Sequence, residues 1–130
     1  MAHPNEELLH RYFKAAGSGD LETLDELFAD NISAHIAGDH ALSGDYQGKE
    51  AVFGFFGRLA ERSGGTAQLH LQAALADDWF AVALVEVAGR VGGETLDGER
   101  AVLILRVQDG RFVELWSHHY DQQKMNRVWS

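Results

Sequence analysis

The sequence predicts an α+β fold: three N-terminal helices packed on one face of an antiparallel sheet. Three observations lead there. Apolar residues recur at the helical period of about 3.6 as far as residue 62 and alternate from residue 66 onwards. The alternating runs are separated only by short turn sequences, Asp77-Asp78, the Gly92-Gly93 region and Asp109-Gly110, which suit hairpins rather than crossovers. Helices first and strands afterwards give two segregated layers. With 130 residues, 45% of them hydrophobic, the chain fills one domain, 1–130, and has enough apolar surface for a core with a cavity inside it.

The first helix covers residues 5–16. Leu8, Leu9, Tyr12, Phe13 and Ala16 form its apolar stripe, Asn5 is placed to cap it, and Glu6-Glu7 suit the positive end of its dipole. Gly17-Ser18-Gly19 stops it. Asp20 then caps a second helix, 21–28, with Leu21, Leu24, Leu27 and Phe28 inward. Residues 29–48 lack a clear period. Ile32 to Ile36 can form a short strand, and the rest reads as a glycine-punctuated loop with a turn at Asp45-Tyr46-Gln47-Gly48. A loop of that length in a small domain is more often functional than idle. The third helix, 49–62, carries Val52, Phe55, Phe56 and Leu59 on one stripe, with Phe53 beside it. Gly54 and Gly57 inside it each cost about 1 kcal/mol against Ala; either they lie on the solvent side or they admit another backbone. Four strands follow, 67–76, 79–90, 100–108 and 111–121.

Composition excludes several classes of function. Twenty acidic against 11 basic side chains leave a formal charge of −9, which repels phosphate backbones, so no nucleic-acid partner is expected. Cysteine is absent, removing disulfides, thiolate nucleophiles and Cys-based metal sites. No apolar run approaches the roughly 20 residues of a membrane span, and the acidic N-terminus lacks the order of a secretory signal. No membrane partner is expected, and a cytoplasmic location is the default. His35, Asp39 and His40, with His118 or His119, offer metal-ligand chemistry, but without a ligating signature such as HExxH; no metal is expected. Nor does a nucleophile elbow or a glycine-rich phosphate cradle appear, so no cofactor is expected.

The last strand draws most attention, because it leaves the core through Trp116, Ser117, His118, His119, Tyr120 and Asp121. Alternation puts Leu115, Ser117, His119 and Asp121 on one face and Glu114, Trp116, His118 and Tyr120 on the other. The two adjacent histidines therefore cannot share a cavity without a bulge.

The ordered set of Gly19-Asp20-Leu21 to Leu27-Phe28, His35 and Gly38, Gly44-Asp45-Tyr46-Gln47-Gly48-Lys49-Glu50-Ala51-Val52, Phe55-Phe56, Asp109-Gly110-Arg111-Phe112-Val113-Glu114, Trp116, Asp121 and Val128-Trp129 resembles the SnoaL-like branch of the NTF2-like superfamily. The resemblance spans nearly the whole chain. It implies a strongly curved sheet rolled into a cone around an apolar cavity, closed by the three helices, and a homodimer paired through the sheet. Relatives include isomerases, cyclases, hydrolases and non-catalytic binding domains, so the fold leaves the chemistry open. In the cyclases the general base looks like an Asp directly after the strand's Trp. Ser117 stands there in this chain, and Leu115 occupies a position that is often polar.

On this frame the candidate catalytic residues are His119, His35, Tyr12 and Glu86, and the candidate ligand contacts are Tyr12, His35, Phe53, Phe56, Leu103, Leu115, Ser117 and His119. His119 is the titratable candidate left on the inward face of the last strand, because Asp121 at the strand's end reads as a turn or a cap for the tail. His35 either lines the cavity mouth or is a partly buried histidine bonded to backbone. Tyr12 either aims its hydroxyl into the cavity, as the isomerases do for an oxyanion, or is core. Glu86, in an otherwise apolar strand, is a general base if it faces the cone and a solvated residue if it faces out. The expected partner is a small hydrophobic molecule. Either the protein moves a proton on a hydrophobic carbonyl compound in the manner of an isomerase or cyclase, or it is a non-catalytic ligand-binding or dimeric scaffold protein.

Overall fold

The computed structural model describes residues 3–130 and builds them from four helices and six strands. Helix α1 (Pro4–Ser18) starts with proline in its first turn, and His3 caps it by accepting a hydrogen bond from the Asn5 amide at 3.0 Å. Asn5 is not the cap. It is buried, and its side-chain amide donates to the Asp77 carbonyl at 2.9 Å, tying the helix start to a hairpin of the sheet. Helix α2 (Leu21–Leu27) is capped by Asp20, whose carboxylate accepts from the Thr23 amide.

Phe28 does not end this helix; it begins strand β1 (Phe28–Ile36) in extended conformation with no intervening loop. Its ring is fully buried among Tyr12, Phe53, Phe56 and Phe112, with centroid distances of 5.4 to 5.9 Å. Burial on all sides holds it at the helix–strand junction. The expected turn at 45–48 is instead strand β2 (Gly44–Gln47), antiparallel to β1 with His35 opposite Asp45. Only residues 37–43 remain as the connecting loop.

Helix α3 (Lys49–Arg62) crosses to the long meander: β3 (Gln68–Ala76), β4 (Phe80–Val91), β5 (Glu94–Gln108) and β6 (Arg111–His119). A last helix, α4 (Gln122–Val128), is capped by Asp121, which accepts from the Lys124 amide at 3.1 Å. The strand order is β2-β1-β6-β5-β4-β3. All pairs are antiparallel except β1 with β6, which run parallel, so the sheet is mixed. Residues far apart in sequence make that pair, and hairpin signals cannot report it. Asp109 and Gly110 supply the predicted β5–β6 turn, with φ of 52° and 74°.

Register shifts bend the sheet: one near Gln72 in β3, one at Val87/Gly89 in β4 opposite the stretch Leu96–Glu99 of β5, and one at Arg106/Val107. Gly89 sits at the tightest of these, where an added Cβ would lie 3.0 Å from the Ala67 Cα and 3.1 Å from the Thr66 carbonyl oxygen. Helices α1 and α3 cover the concave face. The core between them and the sheet includes Leu9, Leu27, Ile32, Val52, Leu105 and Phe112, all at most 1% exposed. Among the described residues, no helix is long and apolar enough to cross a membrane.

Candidate functional site

The concave face is not filled to its end. Toward the open end of β6, where Phe112 gives way to Leu115, Ser117 and His119, a cavity of about 600 Å³ remains. Its walls are Tyr12 and Ala16 of α1, Leu21 and Leu24 of α2, and Phe53, Phe55, Phe56, Gly57, Leu59 and Ala60 of α3. The sheet adds Ile36, Ala67, Leu69, Val87, Ala101, Leu103, Leu115, Ser117 and His119; His40 and Leu42 come from the loop and Trp129 from the C-terminus. Leu21 is 70% exposed and Leu69 38%, marking the mouth. Gly57 has no atom within 4 Å of where a side chain would begin, and neither has Gly54. No close backbone approach explains either glycine, and at Gly57 the missing side chain leaves room in the cavity wall.

No Asp, Glu, Lys or Arg side chain lines this space. Its polar side chains are those of Tyr12, Ser117, His40 and His119, with the indole N–H of Trp129. The Tyr12 ring packs edge-on against Phe28 and Phe112 at 5.4 and 6.0 Å, and burial pushes its hydroxyl up to about 12. His119 stands where β6 ends. Burial first, and then the neighbouring His40, hold it down to about 4, so it is a neutral imidazole across the physiological range, and its Nδ1 is buried with no hydrogen-bond partner among the described residues.

His40, which the sequence places in the glycine-punctuated loop, faces the cavity. The loop that carries it is tied down on the C-terminal segment: the Asp39 amide donates to Asn126 Oδ1 at 2.8 Å and the Ala41 amide to the Trp129 carbonyl at 3.2 Å. The Leu42 amide donates to His40 Nδ1 at 3.1 Å, while Nε2 is buried with no partner among the described residues. Burial, then the Arg62 cation, lowers the His40 pKa, while the Ala37 carbonyl and Asp39 act the other way. A long loop was the only sequence signal for this residue. Trp129, equally missed as a wall residue, had no signal beyond its aromatic character.

Two candidates lie elsewhere. His35 points to the outer face of the sheet, where Nδ1 meets Asp45 Oδ1 and Nε2 meets Glu114 Oε2, both at 2.7 Å, with the Trp116 ring tilted by 32° and its centroid 5.6 Å away. The Asp45 hydrogen bond first, then that of Glu114, raises its pKa. It bonds two carboxylates rather than backbone, and it does not line the mouth. Glu86 shares the outer face with Val82 and Leu84, because Ala81, Ala83, Val85 and Val87 take the buried positions of β4. It cannot act as a base inside the cone. His118, outward and exposed on β6, shares no site with His40 and His119.

Comparison with known proteins agrees with this architecture. The sequence profile described as a SnoaL-like domain matches residues 9–115. Bal32a, from a soil-derived mobile gene cassette, superposes with a TM-score of 0.92 at 32% identity, over 98% of this chain and 97% of its own. The uncharacterised protein Rv0034 of Mycobacterium tuberculosis is 29% identical over 125 residues, 95% of each chain. IdmH of Streptomyces antibioticus, described as a putative polyketide cyclase, has a TM-score of 0.73 at 21% identity over 98% of this chain and 96% of its own, a likeness of fold alone. With a cone of this build and a family match over most of its length, the chain belongs to the SnoaL-like domain family.

Proposed function

We propose that this protein binds a small hydrophobic carbonyl compound in its cone and moves a proton on it without a cofactor, as an isomerase or cyclase does. The observation that carries this reading is His119, a neutral imidazole with an unpartnered buried nitrogen in a wall otherwise almost wholly apolar. His119 takes the proton from the carbon beside the carbonyl and becomes imidazolium; the enolate oxygen is met by the Tyr12 hydroxyl, and the proton returns from His119 to carbon. A base held down to about 4 is comparable in strength to the Asp base of ketosteroid isomerase, about 4.6. Likeness to a putative polyketide cyclase supports the same class at the level of fold.

A second reading, a non-catalytic ligand-binding protein, is favoured by one observation: Ser117 replaces the carboxylate expected after Trp116, and no other carboxylate lines the cavity. The two readings part in D2O with 2-tetralone, a hydrophobic ketone with labile protons beside its carbonyl. The catalytic reading expects loss of those proton signals by NMR, accelerated by the wild type and not by His119→Ala. Binding without accelerated exchange supports the second reading and overturns the first.

We also propose that the outer face of the sheet pairs two copies of the chain. A cross-strand row of Leu75, Val82, Ile104 and Trp116 runs along it beside Phe80 and Leu84. Leu75, Phe80 and Leu84 are 57%, 39% and 42% exposed, a continuous apolar surface of the kind that marks an association site.

A further inference from the structure

We infer that His40 is the ligand's hydrogen-bond anchor, donating its Nε2 proton to a ligand oxygen, and that the cavity takes uncharged ligands bearing one such oxygen and rejects the corresponding carboxylates. The inference rests on the ligand-binding reading and adds to it the residue that selects the ligand and the chemistry selected. Its first support is the tautomer. A backbone amide can only donate, so the 3.1 Å bond from Leu42 to Nδ1 makes that nitrogen an acceptor and leaves the proton of the neutral ring on Nε2. That donor is buried with no partner among the described residues, and an unmet buried donor is costly. A ligand oxygen that accepts from it recovers the cost.

The second support is the fixed position of the ring. The loop is pinned on both sides of His40, by Asp39 to Asn126 and by Ala41 to the Trp129 carbonyl, and Ser43 Oγ accepts from the His40 amide at 3.0 Å. The donor is therefore held in place before ligand arrives, which lowers the cost of ordering on binding. The third support is the charge of the wall. No Lys or Arg lines the cavity; the nearest cation acting on His40 is Arg62, which is engaged with the Ser130 carbonyl and is not part of the wall. A carboxylate inside would be desolvated with no ion to meet it, and the surrounding protein carries a formal charge of −9.

The test uses the full chain and three probes on one skeleton at pH 7.5: tetralin, 2-tetralone and tetralin-2-carboxylate, titrated by NMR. The expected result is that the wild type binds 2-tetralone about five- to tenfold tighter than tetralin, the worth of one net hydrogen bond. The carboxylate should bind at least tenfold more weakly than the ketone, by the desolvation argument on an order-of-magnitude basis. His40→Phe should keep tetralin binding and lose the preference for the ketone. His40→Asn, which can accept from the Leu42 amide and still donate into the cavity, should recover part of it. Equal wild-type affinity for tetralin and 2-tetralone, or a preference that survives in His40→Phe, overturns the anchor while leaving the cavity as a binding site. Carboxylate binding as tight as ketone binding overturns the exclusion of anions. Failure of all three probes to bind overturns the ligand-binding reading itself.

Discussion

His119 and His35 are both histidines on a sheet, yet their surroundings push them in opposite directions. Burial holds His119 down to about 4; two carboxylates raise His35. The consequences for stability fall in separate pH windows. An unfolded chain protonates His119 near the ordinary value of about 6.5, whereas the folded chain resists until about 4. The unfolded state therefore binds more protons between these values, and the stability His119 contributes, complete above about 6.5, is lost as pH falls toward 4. The loss is on the order of 3 kcal/mol, and His40, lowered in the same direction, adds to it. His35 behaves inversely: its contribution is complete below about 6.5 and is lost as pH rises through its raised value. We predict that His119→Gln flattens the decline in denaturant stability between pH 7.5 and 4.5. A variant whose decline matches the wild type would show that His119 is not held neutral.

At the scale of elements, the sheet bends where a strand is forced out of register, and Gly89 is the tightest of those points. Its φ of 152° and the 3.0 Å approach of the Ala67 backbone leave no room for a side chain. Gly89→Val should therefore destabilise the protein by about 2–3 kcal/mol, combining backbone strain and overpacking, measured as a lowered urea midpoint with unchanged slope. A midpoint shift below about 0.5 kcal/mol equivalent would mean that the start of β3 can move away. Strand periodicity made the four strands of the meander legible, and Asp109-Gly110 made their last turn legible. β2 and the parallel β1–β6 pair were not legible. β2 is four residues long with no buried one among them, so it has no hydrophobic pattern to detect, and β1 finds its partner only after some eighty intervening residues have folded.

For the whole molecule, the sheet has two faces with different chemistry. The concave one encloses the cavity; the convex one carries the apolar row through Leu75, Val82, Ile104 and Trp116, bordered by the His35–Asp45–Glu114 group. If two copies pair through this face, Leu84→Asp should yield a monomer in sedimentation equilibrium with its helical circular dichroism intact, because Leu84 is 42% exposed and its loss opens no core cavity. A wild type that sediments as a monomer would exclude the pairing.

What the sequence by itself determined was the layer order, three helices then a meander, and the inward face of β6. Both follow from local period, which a residue and its neighbours carry without help from the rest of the chain. Phe53, Phe56, Leu103, Leu115, Ser117 and His119 share the cavity wall for that reason. Only the tertiary structure decided which face of the sheet Glu86 and His35 occupy, and that His40 turns inward. An alternating strand has two equivalent faces until something packs on one of them, and a loop has no period at all. His40 reaches the cavity because Asn126 and Trp129, almost ninety residues later, hold its loop there.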